Sequence, residues 1–358
     1  MKKKFLLYFF ASIWFGVSGQ QINLQQLPDT DSIIKLMYSV NNYQRSQSWK
    51  NIDRNWKRAT WYTGIMAFYE ITGDSNLLNQ AIDWGAKHGW RIGSEWVYPA
   101  NRLTCSQTYL KLYFLENNEN MIKRTKGFMD KEIEDDNSAF DQGWDYVDAL
   151  YVGIPAYVMM TSITRDQKYA DYGNKIFHEL ADSLFDRDEN LFYRDIAAKE
   201  ESVETGRKIF WSRGNGWAIA SIPRIIDYLG GNDPEKSYYT DLLQKMAEAL
   251  STLQQKDGLW RTNLKDVDEY PEPETSGSSF IIYALAWGIN NGYLEREKYF
   301  NTILKGWNGL ALSIGPDGKV QWGQPVAREP GTVSREDSDE YVTGAFLLAT
   351  SEIYKLAK

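Results

Sequence analysis

Cysteine is almost absent: Cys105 stands alone in 358 residues. One thiol excludes an internal disulfide, a Cys-based zinc site and a Cys-x-x-Cys redox pair, and a lone Cys reads first as a packing residue. Histidine is nearly as scarce, with only His88 and His178. Both fall on stretches patterned as surface helices, so a His-based metal site or triad has too few members. No Gly-rich phosphate loop or basic patch occurs, and the net charge of -8 argues against nucleic acid as a partner. Past the first 19 residues, no apolar run is long enough to cross a bilayer.

The chain is instead rich in aromatics and carboxylates, with 14 Trp, 23 Tyr and 48 acidic residues. Trp and Tyr join an apolar face to a polar tip, which suits sugar rings as well as cores. Chemistry is therefore expected to rest on carboxylates, with Tyr, Trp and Arg in support and no metal. Hydrophobic residues at 43% and charged residues at 25% describe a globular chain.

Residues 1–19 read as a secretory signal. Lys2-Lys3-Lys4 is the basic start, Phe5 to Val17 a short apolar core, and Val17 and Gly19 are small enough for cleavage before Gln20. The expectation is an exported protein, periplasmic or secreted, whose mature part, residues 20–358, is one domain without membrane insertion.

That mature part alternates polar and apolar helical patterns. Asp29–Tyr43 is amphipathic, and Arg58–Gly73 is small and apolar on several faces. Ser75–His88 is polar again. The apolar partners continue at Asn101–Leu115, Asp145–Ile163, Ser212–Leu229, Thr275–Asn291 and Glu340–Leu356. Polar helices at Asn120–Ile133, Asp166–Phe185, Pro234–Gln255 and Glu295–Leu312 lie between them. Six buried helices inside six amphipathic ones predict an all-α, (α/α)6 barrel. An open solenoid is the rival, and closure is favoured because the last apolar helix has no polar partner to cap it. Short turns follow the apolar helices and long links follow the polar ones, so every long link falls on one face, where sites usually sit.

Each inner helix begins with a polar and aromatic cluster: Arg58/Trp61/Tyr62, Asn101/Arg102/Gln107, Trp144/Asp145/Asp148, Trp211/Arg213/Asn215/Trp217, Glu274/Thr275/Ser276 and Asp339/Glu340/Tyr341. In a toroid these starts converge at one mouth. Asp145 and Asp148 are three apart, which on a helix beginning near Asp145 places both in the first turn, on one face with Tyr146 nearby. The plainer alternative is that these acids only cap the helix. In Trp211-Ser-Arg-Gly-Asn-Gly-Trp217, Gly214 and Gly216 allow a close backbone approach or a positive φ, and Arg213 could grip a carboxylate with both arms or simply stack on Trp.

Trp61-Tyr-Thr-Gly, Gln107-Thr-Tyr-Leu, Tyr146-Val-Asp-Ala-Leu-Tyr-Val, Trp211-Ser-Arg-Gly-Asn-Gly-Trp, Glu274-Thr-Ser-Gly-Ser-Ser and Gly344-Ala-Phe-Leu-Leu-Ala come in an order that resembles glycoside hydrolase family 105. These are the unsaturated rhamnogalacturonyl and related unsaturated glucuronyl hydrolases. The resemblance spans nearly all of the mature chain and implies an (α/α)6 barrel without cofactor, acting on a small acidic oligosaccharide. It also implies hydration of a 4,5-unsaturated uronic acid at the non-reducing end, with Asp148 as the catalytic acid. Arg213, Trp211 and Trp217 would then hold the uronate, with Trp144, Asp145, Tyr146, Trp61, Tyr62, Asn101, Arg102, Arg194 and Thr275 as further candidates at the mouth. The chain departs from that pattern at Asn101 and Arg102, where acids are usual, and at Arg194, near a usual His. Another (α/α)6 enzyme, an epimerase or lyase, and a non-catalytic glycan-binding protein are the competing readings.

Overall fold

The computed structural model describes residues 26–48 and 53–358, so the expected export signal lies outside the described residues. Helix formation follows capping chemistry at the chain's turns. Asn55 accepts from the Arg58 amide to start Trp56–Thr72 (α2), and Gly73, at φ 68°, ends it. Asp74 caps Ser75–Lys87 (α3) through the Asn76 amide, and Glu274 caps Thr275–Asn290 (α12) through the amides of Ser276 and Gly277.

Six inner helices pack side to side in a closed ring. In order they are α2, Thr104–Glu116 (α4), the pair Ala149–Val152 (α6) and Ile154–Thr164 (α7), Ser212–Ile226 (α10), α12, and Glu340–Ala357 (α14), which returns to α2. The ring is closed, as the lack of a cap on the last helix predicted. Thr30–Ser48 (α1), α3, Lys123–Asp135 (α5), Lys168–Leu184 (α8), Glu235–Thr252 (α11) and Arg296–Leu312 (α13) form the outer layer. The inner helices are buried almost all round: α12 has no exposed side chain from Thr275 to Gly288. Glycine lets them approach. A Cβ at Gly344 on α14 would lie 2.2 Å from the Thr60 carbonyl of α2, and one at Gly277 on α12 would lie 2.3 Å from Ser212 Oγ of α10.

One local expectation fails. The helix expected from Asp145 begins at Ala149, because the backbone of 146–147 is already paired: Tyr146 bridges Asp195 and the Val147 amide donates to the Arg194 carbonyl at 2.8 Å. The helix then breaks at Gly153, just ahead of Pro155, which has no amide to donate. The long link after α8 is not all loop. Phe185–Asp186 (β1) pairs antiparallel with Leu191–Phe192 (β2) around Asp188-Glu189-Asn190, and Asp195 then caps Ile196–Thr205 (α9).

Candidate active site

The short segment 145–148 places its two acids very differently. Asp145 is exposed and lines no cavity, whereas Asp148 lines a cavity of about 210 Å³ at the mouth of the barrel. Asp148 precedes α6 but makes no side-chain capping bond, and its Oδ1 is buried with no hydrogen-bond partner. Capping therefore does not explain this residue. Burial pushes its carboxyl above the usual carboxylate range. Arg194 and Arg213 pull it down, and the like charge of Asp195 pushes it up. The negative neighbour is thus Asp195, not the expected Asp145. Pairing of 146–147 with 194–195 brings Asp195 in and leaves Asp145 outside.

The cavity walls come from distant parts of the chain. Tyr146 donates its hydroxyl to Asn101 Oδ1 at 3.0 Å, and both line the cavity. Arg194 enters from the link after β2. It pairs with Asp195, lies 5.1 Å from the Tyr98 ring centre and 5.5 Å from that of Tyr146, and its Nε is buried without a partner. Trp217 lines the cavity and is backed by the rings of Tyr151 and Phe280, at separations of 4.8 and 4.1 Å. Trp56 closes one side and Val326, Ala327 and Arg328 another.

Arg213 is 1% exposed and its guanidinium is largely occupied. Nη1 donates to the Gln324 carbonyl at 2.9 Å and to the Tyr341 hydroxyl at 3.1 Å, and Nη2 donates to the Pro325 carbonyl at 3.1 Å. It stacks 4.5 Å from the Trp211 ring centre, and the Trp211 indole donates to Gln324 Oε1 at 2.8 Å. Both side chains line the cavity while anchoring the 324–328 segment over it. Gly216 serves close approach rather than a positive φ: a Cβ there would lie 3.0 Å from the Gly277 carbonyl.

The other candidates lie elsewhere. Trp144 is buried behind the site against Gly153, where only glycine leaves room for its ring. Thr275 is buried and donates to the Gln321 carbonyl at 2.8 Å. Arg102 points to the Glu95 carbonyl and sits under the exposed Trp96. Trp61 and Tyr62 face outward into a groove of about 680 Å³ between α1 and α3. That groove is larger, but of its two acids, Asp74 and Asp83, Asp74 is held below the usual carboxylate range by hydrogen bonds from Tyr38 and Asn76, and neither is enclosed as Asp148 is. The smaller cavity pairs a carboxyl pushed upward with Arg194, whose Nε has no partner; Asp227 is also pushed up, to about 6, but lines a cavity of only about 60 Å³ whose cations are engaged, Lys111 with Glu70, Lys355 with Glu352 and Arg224 with Gln107. Tyr98 and residues 326–328 carry no signal in the sequence because they sit in links with no helical pattern, and Trp56 lies at the first residue of α2, ahead of the Arg58 start that the apolar pattern marks. Among the described residues, no cluster of His, Cys, Asp and Glu is arranged to hold a metal ion, and no helix is long and apolar enough to cross a membrane.

The sequence profile of glycosyl hydrolase family 88 matches residues 30–357. An Alteromonas protein named unsaturated 3S-rhamnoglycuronyl hydrolase is 35% identical over 317 residues, covering 83% of this chain and 77% of that protein. A solved structure described as a family 88 glycosyl hydrolase from Bacteroides vulgatus superposes with a TM-score of 0.85 at 28% identity, covering 91% of this chain and 99% of the other. Another, described as a polysaccharide lyase, gives 0.84 at 28% identity over 91% and 98% of the two chains. A structure from Salmonella enterica described as a possible family 105 member gives 0.77 at 17% identity over 93% and 96%, a likeness of fold.

Proposed function

The chain belongs to glycosyl hydrolase family 88 and is a glycoside hydrolase, and from that premise we propose that it removes a 4,5-unsaturated uronic acid from the non-reducing end of oligosaccharides made by a polysaccharide lyase. The observation that carries this is Asp148: an enclosed carboxyl, pushed toward its protonated form, with one oxygen free of any protein partner, near the Arg194 guanidinium whose Nε is unpartnered. Such a group can donate a proton to C4 of the enol ether. Water then adds at C5, and its surplus proton returns to the Asp148 carboxylate. The product is a hemiketal. Its ring opens to a 5-keto sugar, and the hemiacetal left at C1 expels the neighbouring sugar as an alcohol. One carboxyl serves both steps, so no second catalytic carboxylate at glycosidase spacing is needed.

Arg194 is the cation best placed for the uronate carboxylate, because its Nε is unpartnered and it heads the charges acting on Asp148. Arg213 acts mainly by holding the 324–328 segment, with Trp217 beneath the sugar ring. For the leaving sugar we take a rhamnose, as in the name of the Alteromonas relative. A lyase would instead need a base toward C5. Here burial favours the acid form of Asp148, and the Tyr146 hydroxyl is bound to Asn101 and pushed well above its usual range. The basic and apolar start of the sequence supports export with cleavage near Gln20, which N-terminal sequencing of the native protein checks. The activity itself is tested by adding lyase-generated unsaturated disaccharide. The ultraviolet absorbance of the double bond should fall, with a free sugar released. A rise in absorbance on intact polysaccharide would identify a lyase.

A further inference from the structure

Among the described residues no hydrogen bond from another residue orients the Asp148 carboxyl. Its direction is therefore left to the backbone that carries it. That backbone opens α6, a helix of four residues. One turn makes too few internal hydrogen bonds to hold itself, so α6 depends on what grips its ends. At the near end the Val147 amide donates to the Arg194 carbonyl at 2.8 Å. At the far end the sequence removes a bond. A continuous helix would join the amide of residue 155 to the Tyr151 carbonyl, and Pro155 has no amide. A buried carbonyl is rarely left open, so another donor is required.

Gln107 is that donor. It is buried on α4, outside the Asp148 cavity, and its Nε2 donates to the Tyr151 carbonyl at 2.7 Å. Its Oε1 accepts from Arg224 Nε of α10 at 2.6 Å. A guanidinium can only donate and a carbonyl can only accept, so the amide of Gln107 has one workable orientation. In the ring, α4 and α10 flank the α6–α7 pair, and the Gln107–Arg224 bond ties the two flanking helices together at the break. Arg224 also lies 5.5 Å from the Tyr151 ring centre, and the Tyr151 hydroxyl is 3.2 Å from Thr63 Oγ1 of α2. We propose that Gln107, oriented by Arg224, is a positioning residue: it clamps the end of α6 and so sets where Asp148 points. This rests on the uronyl-hydrolase function proposed above. The clamped carbonyl is three residues from Asp148, and the next amide, that of Val152, donates to the Asp148 carbonyl at 3.0 Å. Movement at the clamp is thus carried to the acid within one turn.

The test uses two substitutions at each partner. Gln107→Glu keeps the size of the side chain and an acceptor for Arg224, which holds it ionised, but sets an oxygen against the Tyr151 carbonyl. Gln107→Met removes both bonds. On unsaturated disaccharide both should lower kcat by about tenfold or more and leave KM within about twofold, since a misplacement of about 1 Å can cost about a hundredfold in rate. The alkaline limb of kcat/KM should move to lower pH, because a loosened Asp148 meets more water and burial is what holds its carboxyl high. Arg224→Lys, which can still donate to Gln107, should keep much of the turnover that Arg224→Met loses. Amide hydrogen exchange at residues 149–152 should quicken in Gln107→Met while α12 stays protected, whatever the substrate. Wild-type kcat and limb in folded Gln107→Glu, a loss confined to KM, or unchanged exchange at 149–152 would each overturn the assignment. Should both Gln107 variants fail to fold, Arg224→Met at wild-type kcat overturns it. No turnover by the wild-type protein, with the faster exchange still seen in Gln107→Met, would instead refute the uronyl-hydrolase function.

Discussion

Arg213→Lys separates two roles that the sequence alone leaves merged. The arginine makes three hydrogen bonds, to the Gln324 and Pro325 carbonyls and the Tyr341 hydroxyl, while almost fully buried against Trp211. Lysine keeps the charge, but one ammonium cannot reach two successive carbonyls and a phenol with a planar fork. One or two charge-assisted bonds are lost, each worth about 1.5–3 kcal/mol, so we expect a stability loss of about 2–4 kcal/mol. For a chain of this size that lowers Tm by several degrees, at roughly 2 °C per kcal/mol. KM should rise with it, because residues 324–328 cover the cavity. Thermal unfolding followed by circular dichroism, run beside steady-state kinetics on unsaturated disaccharide, measures both. A raised KM with an unchanged Tm would refute the anchoring role and return Arg213 to direct contact with the uronate. No change in either would make it simple packing.

Three further outcomes follow from the same geometry. The proton-donating form of Asp148 is present below its raised pKa and is lost as pH rises through it, so kcat/KM should fall on the alkaline side. Arg194→Met removes a charge that favours the carboxylate, so that limb should move to higher pH, and a limb that stays or moves down would uncouple the two residues. Asp145→Asn should leave kcat/KM within about twofold, since the residue is exposed and outside the cavity, and a large loss would mean that segment 145–148 is placed wrongly. Gly344→Ala drives a methyl to 2.2 Å from the Thr60 carbonyl and should cost about 1–3 kcal/mol of stability in urea unfolding, whereas an unchanged midpoint would mean that α2 and α14 are not locked together.

Much of the barrel was legible because helix pairs write their burial into the sequence. Thr275–Gly288 is small and apolar on every face, and the matching helix is buried on every face. Capping residues such as Asn55, Asp74 and Glu274 mark true helix starts. The site was legible where a residue's position follows from its own helix, as for Trp217 and Arg213 at the start of α10. It was not legible where pairing between distant links decides. Helical spacing put Asp145 beside Asp148, but the 146–195 bridge straightens that stretch and substitutes Asp195 as the neighbouring charge. Trp61 and Tyr62 belong to an inner helix yet point outward, because α14 packs against the other face of α2 through Gly64 and Gly344. Arg328 gave no signal at all, since nothing in a link of irregular backbone says which way it turns.

The central claim is that Asp148 delivers the proton to C4, and Asp148→Asn tests it most directly. The amide keeps the shape of the carboxyl but can neither give nor regain the proton. We expect unsaturated-disaccharide turnover, followed by loss of the double-bond absorbance, to drop by at least about a hundredfold, with an unchanged circular dichroism spectrum. Retained turnover in a folded Asp148→Asn protein would contradict the account and place the acid elsewhere.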